Sequence, residues 1–327
     1  MIDSSGVSRL VRLLAVAFLV LWAASPGTAA AGQRRLGAAS VAATHLYNMD
    51  YSTGTIEVYG IGPGGAVLEH SFNVVRVKNG GVGGLAVDRY GVVYTAVDAS
   101  SGHPCSACFE AFEPDGTLLA QVAAPTLPGA TNPPDLTDIS VDNAGDVFLS
   151  DYGQQAVYAF APSPKGFVGP AIVVEGTTNA ASVAATPNGR VVFVSGGCGF
   201  ASVRPYTLQT SGGYASGNCF GIGTIALIGG AVDNQGTVFT PVDGALGIVS
   251  MSDAAGRGRA FAVPDRKGEI GGVALSGDGS FLYVSDHHHE RVYVYQRPAQ
   301  GWLSRTGPIL VAEYTGFANL DVIAVSP

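Results

Sequence analysis

The sequence predicts an all-β fold of repeated four-stranded sheets arranged as a propeller. The first observation is a unit of two short strands around a tight turn, which recurs with turn glycines at Gly91, Gly145, Gly189, Gly236 and Gly279. The separations of 54, 44, 47 and 43 residues match propeller blades, which span about 40–50 residues. The second observation is composition: 46 of the 327 residues are glycine, and each would cost a helix interior about 1 kcal/mol relative to alanine.

Each repeat divides into an inner strand, a glycine turn, an aromatic-rich second strand, and a third and a fourth strand. The clearest copy has its first two strands within residues 139–151 and its third at 157–160. In a later copy the third strand, at 292–295, alternates β-branched and aromatic residues, which is typical of a sheet with two distinct faces. Several inner strands begin with glycine pairs, as expected where blades converge on an axis. These pairs are at 83–84, 229–230 and 271–272.

The two ends of the chain supply a sixth blade. Residues 321–327 form an inner strand that stops where the other copies have their turn. Residues 45–50, 55–59 and 67–74 match the second, third and fourth strands. Pairing the last strand with this N-terminal blade would close the ring and remove both open sheet edges. The predicted fold is therefore a six-bladed β-propeller over residues 45–327, with four-stranded antiparallel blades.

The N-terminus has the order of a secretory signal peptide. Arg9 and Arg12 precede an apolar run at 13–24, and a small-residue stretch containing Ala29 and Ala31 favours cleavage before Gly32. The run is shorter than the roughly 20 residues that span a bilayer, and no stop-transfer flank supports the alternative of an uncleaved anchor. We predict a signal peptide at 1–31, a flexible segment at 32–44, and a secreted or periplasmic protein with no integral membrane segment after cleavage.

The charge balance argues against a nucleic-acid partner. Lys and Arg number 17 against 25 Asp and Glu, which gives a formal net charge of −8. A nucleic-acid binder needs a concentrated basic face to displace counterions from phosphate. We therefore expect a partner of another class.

The repeat resembles the NHL repeat, most clearly over residues 139–160. The wider arrangement resembles the six-bladed superfamily that includes senescence-marker and gluconolactonase-like proteins. The resemblance implies a scaffold that hosts binding proteins, lyases, lactone hydrolases and structural modules. It does not by itself choose among them.

The gluconolactonase-like resemblance also implies metal ligands where the inner strands begin. The approximately equivalent positions here are Gly83, Thr137, Ala181, Ile228, Gly271 and Asp321, of which only Asp321 offers a carboxylate. A shift of one or two residues would add Asp138, Asn179 and Asn319. Oxygen ligands of this kind suit Ca²⁺, so these four residues form a candidate calcium site.

A second acidic series follows the second strand in five of the six blades. Because the residue is part of the repeat, we expect each Asp to cap the next loop by accepting backbone hydrogen bonds. The series consists of Asp50, Asp98, Asp151, Asp243 and Asp286.

Residues 286–290 read Asp-His-His-His-Glu and fall in a loop between a second and a third strand. Neighbouring imidazoles can bind a transition metal, and His287 and His289 are the candidate ligands. A solvated polar loop is the simpler interpretation, because consecutive residues rarely point at one ion.

The four cysteines are expected to form two disulfides in an oxidising compartment. Cys105 and Cys108 are three residues apart, and zinc binding with His103 is the alternative for this pair. Cys198 and Cys219 lie in loops on the same predicted face, and a bond between them would close a loop of about 20 residues.

The sequence favours a secreted, monomeric, non-catalytic binding module whose partner is an extracellular protein, a glycan or a small ligand. The alternative is a calcium-dependent lactone or ester hydrolase, or a lyase, with its site at the central pore. No catalytic residue can be assigned. Calcium is the cofactor that the oxygen ligands suggest, beside the transition metal considered for His287 and His289.

Overall fold

The computed structural model describes residues 33–35, 44–62, 65–74, 81–98, 105, 107–164, 166–175, 179–196, 198–199, 202–221, 229–242, 247–265 and 268–326. The chain separates into a unit of residues 1–30 and a unit of residues 31–327, and every described strand belongs to the second. The predicted signal peptide lies outside the described residues. None of the described residues forms a helix long and apolar enough to cross a membrane.

The described residues form six antiparallel sheets. In chain order the strands are β1 (Gln33–Arg35), β2 (His45–Asp50), β3 (Thr55–Gly62), β4 (Gly65–Asn73), β5 (Val82–Val87), β6 (Val93–Val97), β7 (Cys108–Phe112), β8 (Leu118–Ala123), β9 (Leu136–Val141), β10 (Val147–Asp151), β11 (Ala156–Ser163), β12 (Gly166–Glu175), β13 (Ser182–Ala185), β14 (Val191–Ser195), β15 (Ser202–Leu208), β16 (Tyr214–Ser216), β17 (Phe220–Gly221), β18 (Ala231–Val232), β19 (Val238–Pro241), β20 (Ile248–Ser252), β21 (Gly258–Ala262), β22 (Ile270–Leu275), β23 (Phe281–Asp286), β24 (Arg291–Gln296), β25 (Ile309–Thr315) and β26 (Val322–Ser326).

Each sheet is one blade of a six-bladed propeller, as predicted. Blade 1 is β5–β8, blade 2 is β9–β12, blade 3 is β13–β17, blade 4 is β18–β21, and blade 5 is β22–β25. Blade 6 joins β26 to β2, β3 and β4. Contacts between the inner strands run from β26 to β5, β9, β13, β18 and β22 and return to β26, which defines the ring.

The ring is closed by the last strand, which confirms the prediction. β26 pairs antiparallel with β2, with His45 opposite Ser326 and Met49 opposite Val322. The Asn48 side chain adds to this closure, since its Oδ1 accepts the Asp321 N–H at 2.9 Å and its Nδ2 donates to the Asn319 carbonyl at 3.4 Å.

Two blades depart from four simple strands. β1, within the segment predicted to be flexible, pairs with β25 as a fifth strand of blade 5. In blade 3 the outer strand is split into β16 and β17, both paired with β15. The split lies opposite Pro205, which has no N–H to donate to a neighbouring strand. Gly217 donates instead to the Pro205 carbonyl at 2.8 Å.

The turn between the first and second strands explains the repeat signature. All five predicted turn glycines have positive φ, between 64° and 88°, where a side chain would be strained. In three blades the Asp before the turn accepts two backbone N–H groups; Asp142 Oδ1, for example, accepts those of Ala144 at 2.8 Å and Asp146 at 2.9 Å. In these three blades the Asx turn fixes the pairing of the inner strand with its neighbour.

The hydrophobic core lies between adjacent blades, where the faces of neighbouring sheets pack together. Phe109 of blade 1 and Phe160 of blade 2 meet edge to face, with ring centroids 5.2 Å apart. Phe239 of blade 4 packs in the same way against Trp302 of blade 5, at 5.2 Å. Each pair belongs to a cluster of buried residues that joins two blades. This packing makes the ring a rigid support for its two faces.

Candidate functional site

The propeller presents two faces around its axis. The loop face carries the connections between second and third strands and the connections that lead into each inner strand. The turn face carries the glycine turns and the turns between third and fourth strands. The predicted metal ligands belong to the loop face or to the axis below it.

Asp138 lies at the axis on β9 and is 2% exposed. Its Oδ2 accepts the Ser182 hydroxyl at 2.5 Å and the Val183 N–H at 3.1 Å, both from β13. Its Oδ1 accepts the Ile139 N–H at 2.9 Å, and the backbone of Gly229 adds a further hydrogen bond. The carboxyl therefore links blades 2, 3 and 4.

The environment of Asp138 sets its protonation. Burial raises the pKa of this carboxyl to about 6, while the hydrogen bonds from Ser182, Val183, Ile139 and Gly229 act in the opposite direction. Gly84 of blade 1 faces the same carboxyl, and a Cβ built on Gly84 would overlap Asp138 Oδ1. Gly84 belongs to one of the glycine pairs predicted to relieve crowding at the axis, and its lack of a side chain leaves room for the Asp138 carboxyl.

A second group of titratable residues surrounds Asp321 where the chain enters β26. Burial raises the pKa of the Asp321 carboxyl to about 6; the His287 imidazole opposes the rise, and the carboxylates of Asp50 and Glu269 add to it. The Tyr51 N–H also donates to this carboxyl. Asp321 is half-buried, whereas His287 and Glu269 are exposed, so this group faces solvent at the mouth of the axis.

The histidines of the 286–290 loop have different partners. His287 Nδ1 contacts the Leu320 carbonyl beside Asp321. His289 lies between two carboxylates, with Nδ1 at 2.9 Å from Asp286 Oδ2 and Nε2 at 3.1 Å from Asp265 Oδ2. The structure thus directs one imidazole to the axial mouth and the other to the connection that precedes β22.

The capping role predicted for the second acidic series is confirmed at three positions. Asp50 accepts the Ser52 N–H at 2.8 Å, Asp151 accepts the Gln154 N–H at 2.9 Å, and Asp286 accepts the His289 N–H at 3.1 Å. Asp243 lies outside the described residues.

The four candidate calcium ligands come from three blades, since Asn319 and Asp321 both precede β26 of blade 6. Asp138 and Asp321 enter from blades 2 and 6, which are separated by blade 1. Asn179 lies before β13 and Asn319 before β26, and both have positive φ, at 66° and 51°. In the part of the chain that the structure describes, no three His, Cys, Asp or Glu side chains are grouped to hold a metal ion. The calcium and transition-metal sites stay predictions.

Both predicted disulfides are present. Cys105 and Cys108 are joined with a Cα–Cα distance of 5.9 Å, and Cys198 and Cys219 with one of 6.3 Å. The second bond ties the connection after β14 to the segment between β16 and β17, and both of its residues are exposed.

We expect the Cys198→Ser/Cys219→Ser double variant to lose about 2–3 kcal/mol of unfolding free energy, because the unfolded chain regains the entropy of a 21-residue separation. Urea unfolding without reductant measures this loss. The Cys105→Ser/Cys108→Ser variant releases a separation of only 3 residues and is the comparison for loop length. Equal stability of wild type and the Cys198/Cys219 variant would contradict the prediction.

Two depressions lie on the turn face. One, of about 300 Å³, is at the axis, with walls that include Val87, Val141, Leu275 and Val325 from the ends of four inner strands. The other, of about 400 Å³, is a groove between blades 6 and 1. Arg89 lines both depressions, so both border the glycine turn of blade 1.

Sequence reasoning overlooked this groove, although one signal was available. The two residues before the turn glycine are Asn143-Ala144, Pro187-Asn188, Asn234-Gln235 and Gly277-Asp278 in blades 2 to 5. Blade 1 has the two large side chains Arg89 and Tyr90 instead. Large side chains at an exposed turn where the repeat is otherwise small and polar indicate a local role.

The architecture defines the chain as a six-bladed β-propeller, and solved structures support that class. The chain is 14% identical to a chain of the nidogen–laminin complex, with a TM-score of 0.57 and coverage of 86% of this chain and 97% of the other. A 6-phosphogluconolactonase, described as putative, from Bacteroides fragilis is 15% identical, with a TM-score of 0.53 and coverage of 83% and 82%.

A catalytically inactive variant of virginiamycin B lyase from Staphylococcus aureus, with quinupristin, is 9% identical, with a TM-score of 0.51 and coverage of 86% and 88%. At these identities the likeness shows the fold alone. No family model matches the chain, and no curated protein sequence is significantly similar to it. The NHL character of the repeat therefore stays a resemblance.

Proposed function

We propose that the chain is an exported binding propeller that holds an extracellular partner without converting it. The observation that carries the proposal is Asp138. Its carboxyl is the buried acidic group at the axis, and its oxygens accept hydrogen bonds from three blades. A carboxylate held in this way braces the inner ring, which leaves less of its coordinating capacity for a metal ion or a substrate.

The export part of the proposal rests on two independent features. The N-terminal order of basic, apolar and small residues is typical of a secretory signal peptide. The two disulfides fit an oxidising compartment, where such bonds persist. Rigid packing between blades and depressions open to solvent on the turn face suit the capture of a ligand more than the exclusion of water from a reaction.

The second candidate is the calcium-dependent hydrolase or lyase. It is favoured by one observation, the Asp321 carboxyl with a pKa of about 6 beside His287 at the axial mouth. A carboxyl with that pKa can exchange a proton near neutral pH, as a general acid or base must.

Metal analysis separates the two candidates. We expect the purified mature protein to contain less than a stoichiometric amount of calcium or transition metal by mass spectrometry of the elements. Its thermal midpoint should be unchanged by EDTA and by added Ca²⁺, because a bound ion would stabilise the folded state by mass action. Stoichiometric calcium together with a lower midpoint after chelation would replace the binding proposal with the enzyme. Asp321→Asn would then be the variant that loses both the calcium and the turnover.

A further inference from the structure

We propose that the groove between blades 6 and 1 binds a neutral oligosaccharide, with one sugar ring stacked on Tyr90. This inference rests on the proposed binding function and gives it a ligand class and a place. The groove lies on the turn face, opposite the loop face where the candidate metal ligands lie. It is formed by the start of β2, the middle of β4, and the two turns of blade 1.

The first argument is the exposed ring of Tyr90. This side chain is 69% exposed, the largest exposure among the large hydrophobic residues that the structure describes. Arg89 lies over the ring, with its guanidinium carbon 4.7 Å from the ring centroid, and also donates to the Tyr90 hydroxyl. The ring is thus held in place with one face left for a ligand. The negative potential of an aromatic face attracts the polarised C–H groups of a pyranose ring.

The second argument is the mixture of donors and acceptors around that ring. His45 Nε2 lies 3.5 Å from Glu69 Oε2, and His70 Nε2 lies 2.8 Å from the Pro114 carbonyl. Arg89 adds donors and Asp115 adds acceptors at the same groove. Each sugar hydroxyl both donates and accepts, so it needs partners of both kinds. An ionic ligand would instead require side chains of one sign, and the groove has no such excess.

The third argument is the size of the groove and the second depression next to it. The volume of about 400 Å³ falls in the range of roughly 300–1,000 Å³ that is usual for small-molecule sites. The axial depression of about 300 Å³ lies beside it and shares Arg89 as a lining residue. Two neighbouring depressions of this size fit a linear chain of several sugar units better than a single monosaccharide.

Titration calorimetry with four neutral hexasaccharides, built from glucose, mannose, xylose and N-acetylglucosamine, tests the inference on the mature protein. We expect at least one to bind. Tyr90→Ala should weaken that binding at least tenfold, whereas Tyr90→Phe, which keeps the ring, should change it less than threefold. Tyr51→Ala is the matched control, because Tyr51 is an exposed tyrosine on the loop face.

Two results would overturn the saccharide site. One is the absence of heat and of chemical-shift change with all four hexasaccharides at millimolar concentration. The other is binding that Tyr90→Ala leaves intact or that Tyr51→Ala removes. Neither result affects the metal analysis, which tests the broader binding function separately.

Discussion

Replacing Gly84 with alanine should lower the free energy of unfolding by about 3–4 kcal/mol. The added methyl would overlap Asp138 Oδ1 and lie 2.9 Å from the Ile139 nitrogen. Asp138 cannot turn aside, because hydrogen bonds from β13 hold its other oxygen. Overpacking costs about 1–3 kcal/mol, and disturbing a buried hydrogen-bonded group costs a similar amount again.

Urea unfolding of Gly84→Ala measures this loss, and Gly62→Ala is the control. Gly62 has no neighbouring atom within 4 Å of a built Cβ and no positive φ, so its variant should lie within about 0.5 kcal/mol of wild type. Combining Gly84→Ala with Asp138→Ala should cost less than the sum of the two single changes, since the second provides room for the methyl. A Gly84→Ala protein as stable as Gly62→Ala would show that the axis is not packed as described.

The Asp138→Asn variant should have a flatter stability profile between pH 4 and pH 7 than wild type. The folded pKa of about 6 lies above the reference value of 3.8, so the folded protein keeps its proton while the unfolded chain loses it. Stability from this group is therefore complete below about pH 4 and declines as pH rises through 6. The wild-type decline from this group is about 3 kcal/mol, at about 1.4 kcal/mol per pKa unit, and asparagine removes it.

Urea titrations at pH 4, 5, 6 and 7 give both profiles. Asp115→Asn is the matched control, because Asp115 is exposed and the Thr117 N–H holds its pKa below the reference value. The stabilising contribution of the Asp115 carboxylate is lost as pH falls. Asp115→Asn therefore cannot remove a loss of stability that occurs as pH rises. Parallel profiles for wild type and Asp138→Asn would mean that the carboxyl is already ionised at pH 4, with the hydrogen bonds outweighing burial.

Much of the fold could be predicted from local sequence because five of the six blades repeat a glycine turn. In three of these turns an Asp that accepts two N–H groups precedes a glycine with positive φ, and Asp142 with Gly145 is one case. Ring closure was predictable because the last inner strand, at residues 321–327, has no second strand after it in the sequence. The split of the outer strand in blade 3 was not predictable. It depends on how strands pair around Pro205, and the periodicity of the sequence does not show this.

The candidate site was less predictable, because its residues meet only in three dimensions. Asp138 was chosen as a metal ligand from its position in the repeat, but its hydrogen bonds come from Ser182, Val183 and Gly229 in two other blades. Likewise, the groove at Tyr90 joins strands from opposite ends of the chain. Strand patterns reveal which residues face a neighbouring sheet, but not which loops from distant repeats come together.

Blade 6 also determines when folding of the propeller can be completed. Its second, third and fourth strands leave the ribosome early, yet the strand that completes their sheet follows more than 270 residues later, as the separation of Asn48 from Asn319 shows. Until β26 has been made, the edge of β2 has no strand to pair with. Bringing two strands so far apart in sequence together costs conformational entropy before their contacts can form.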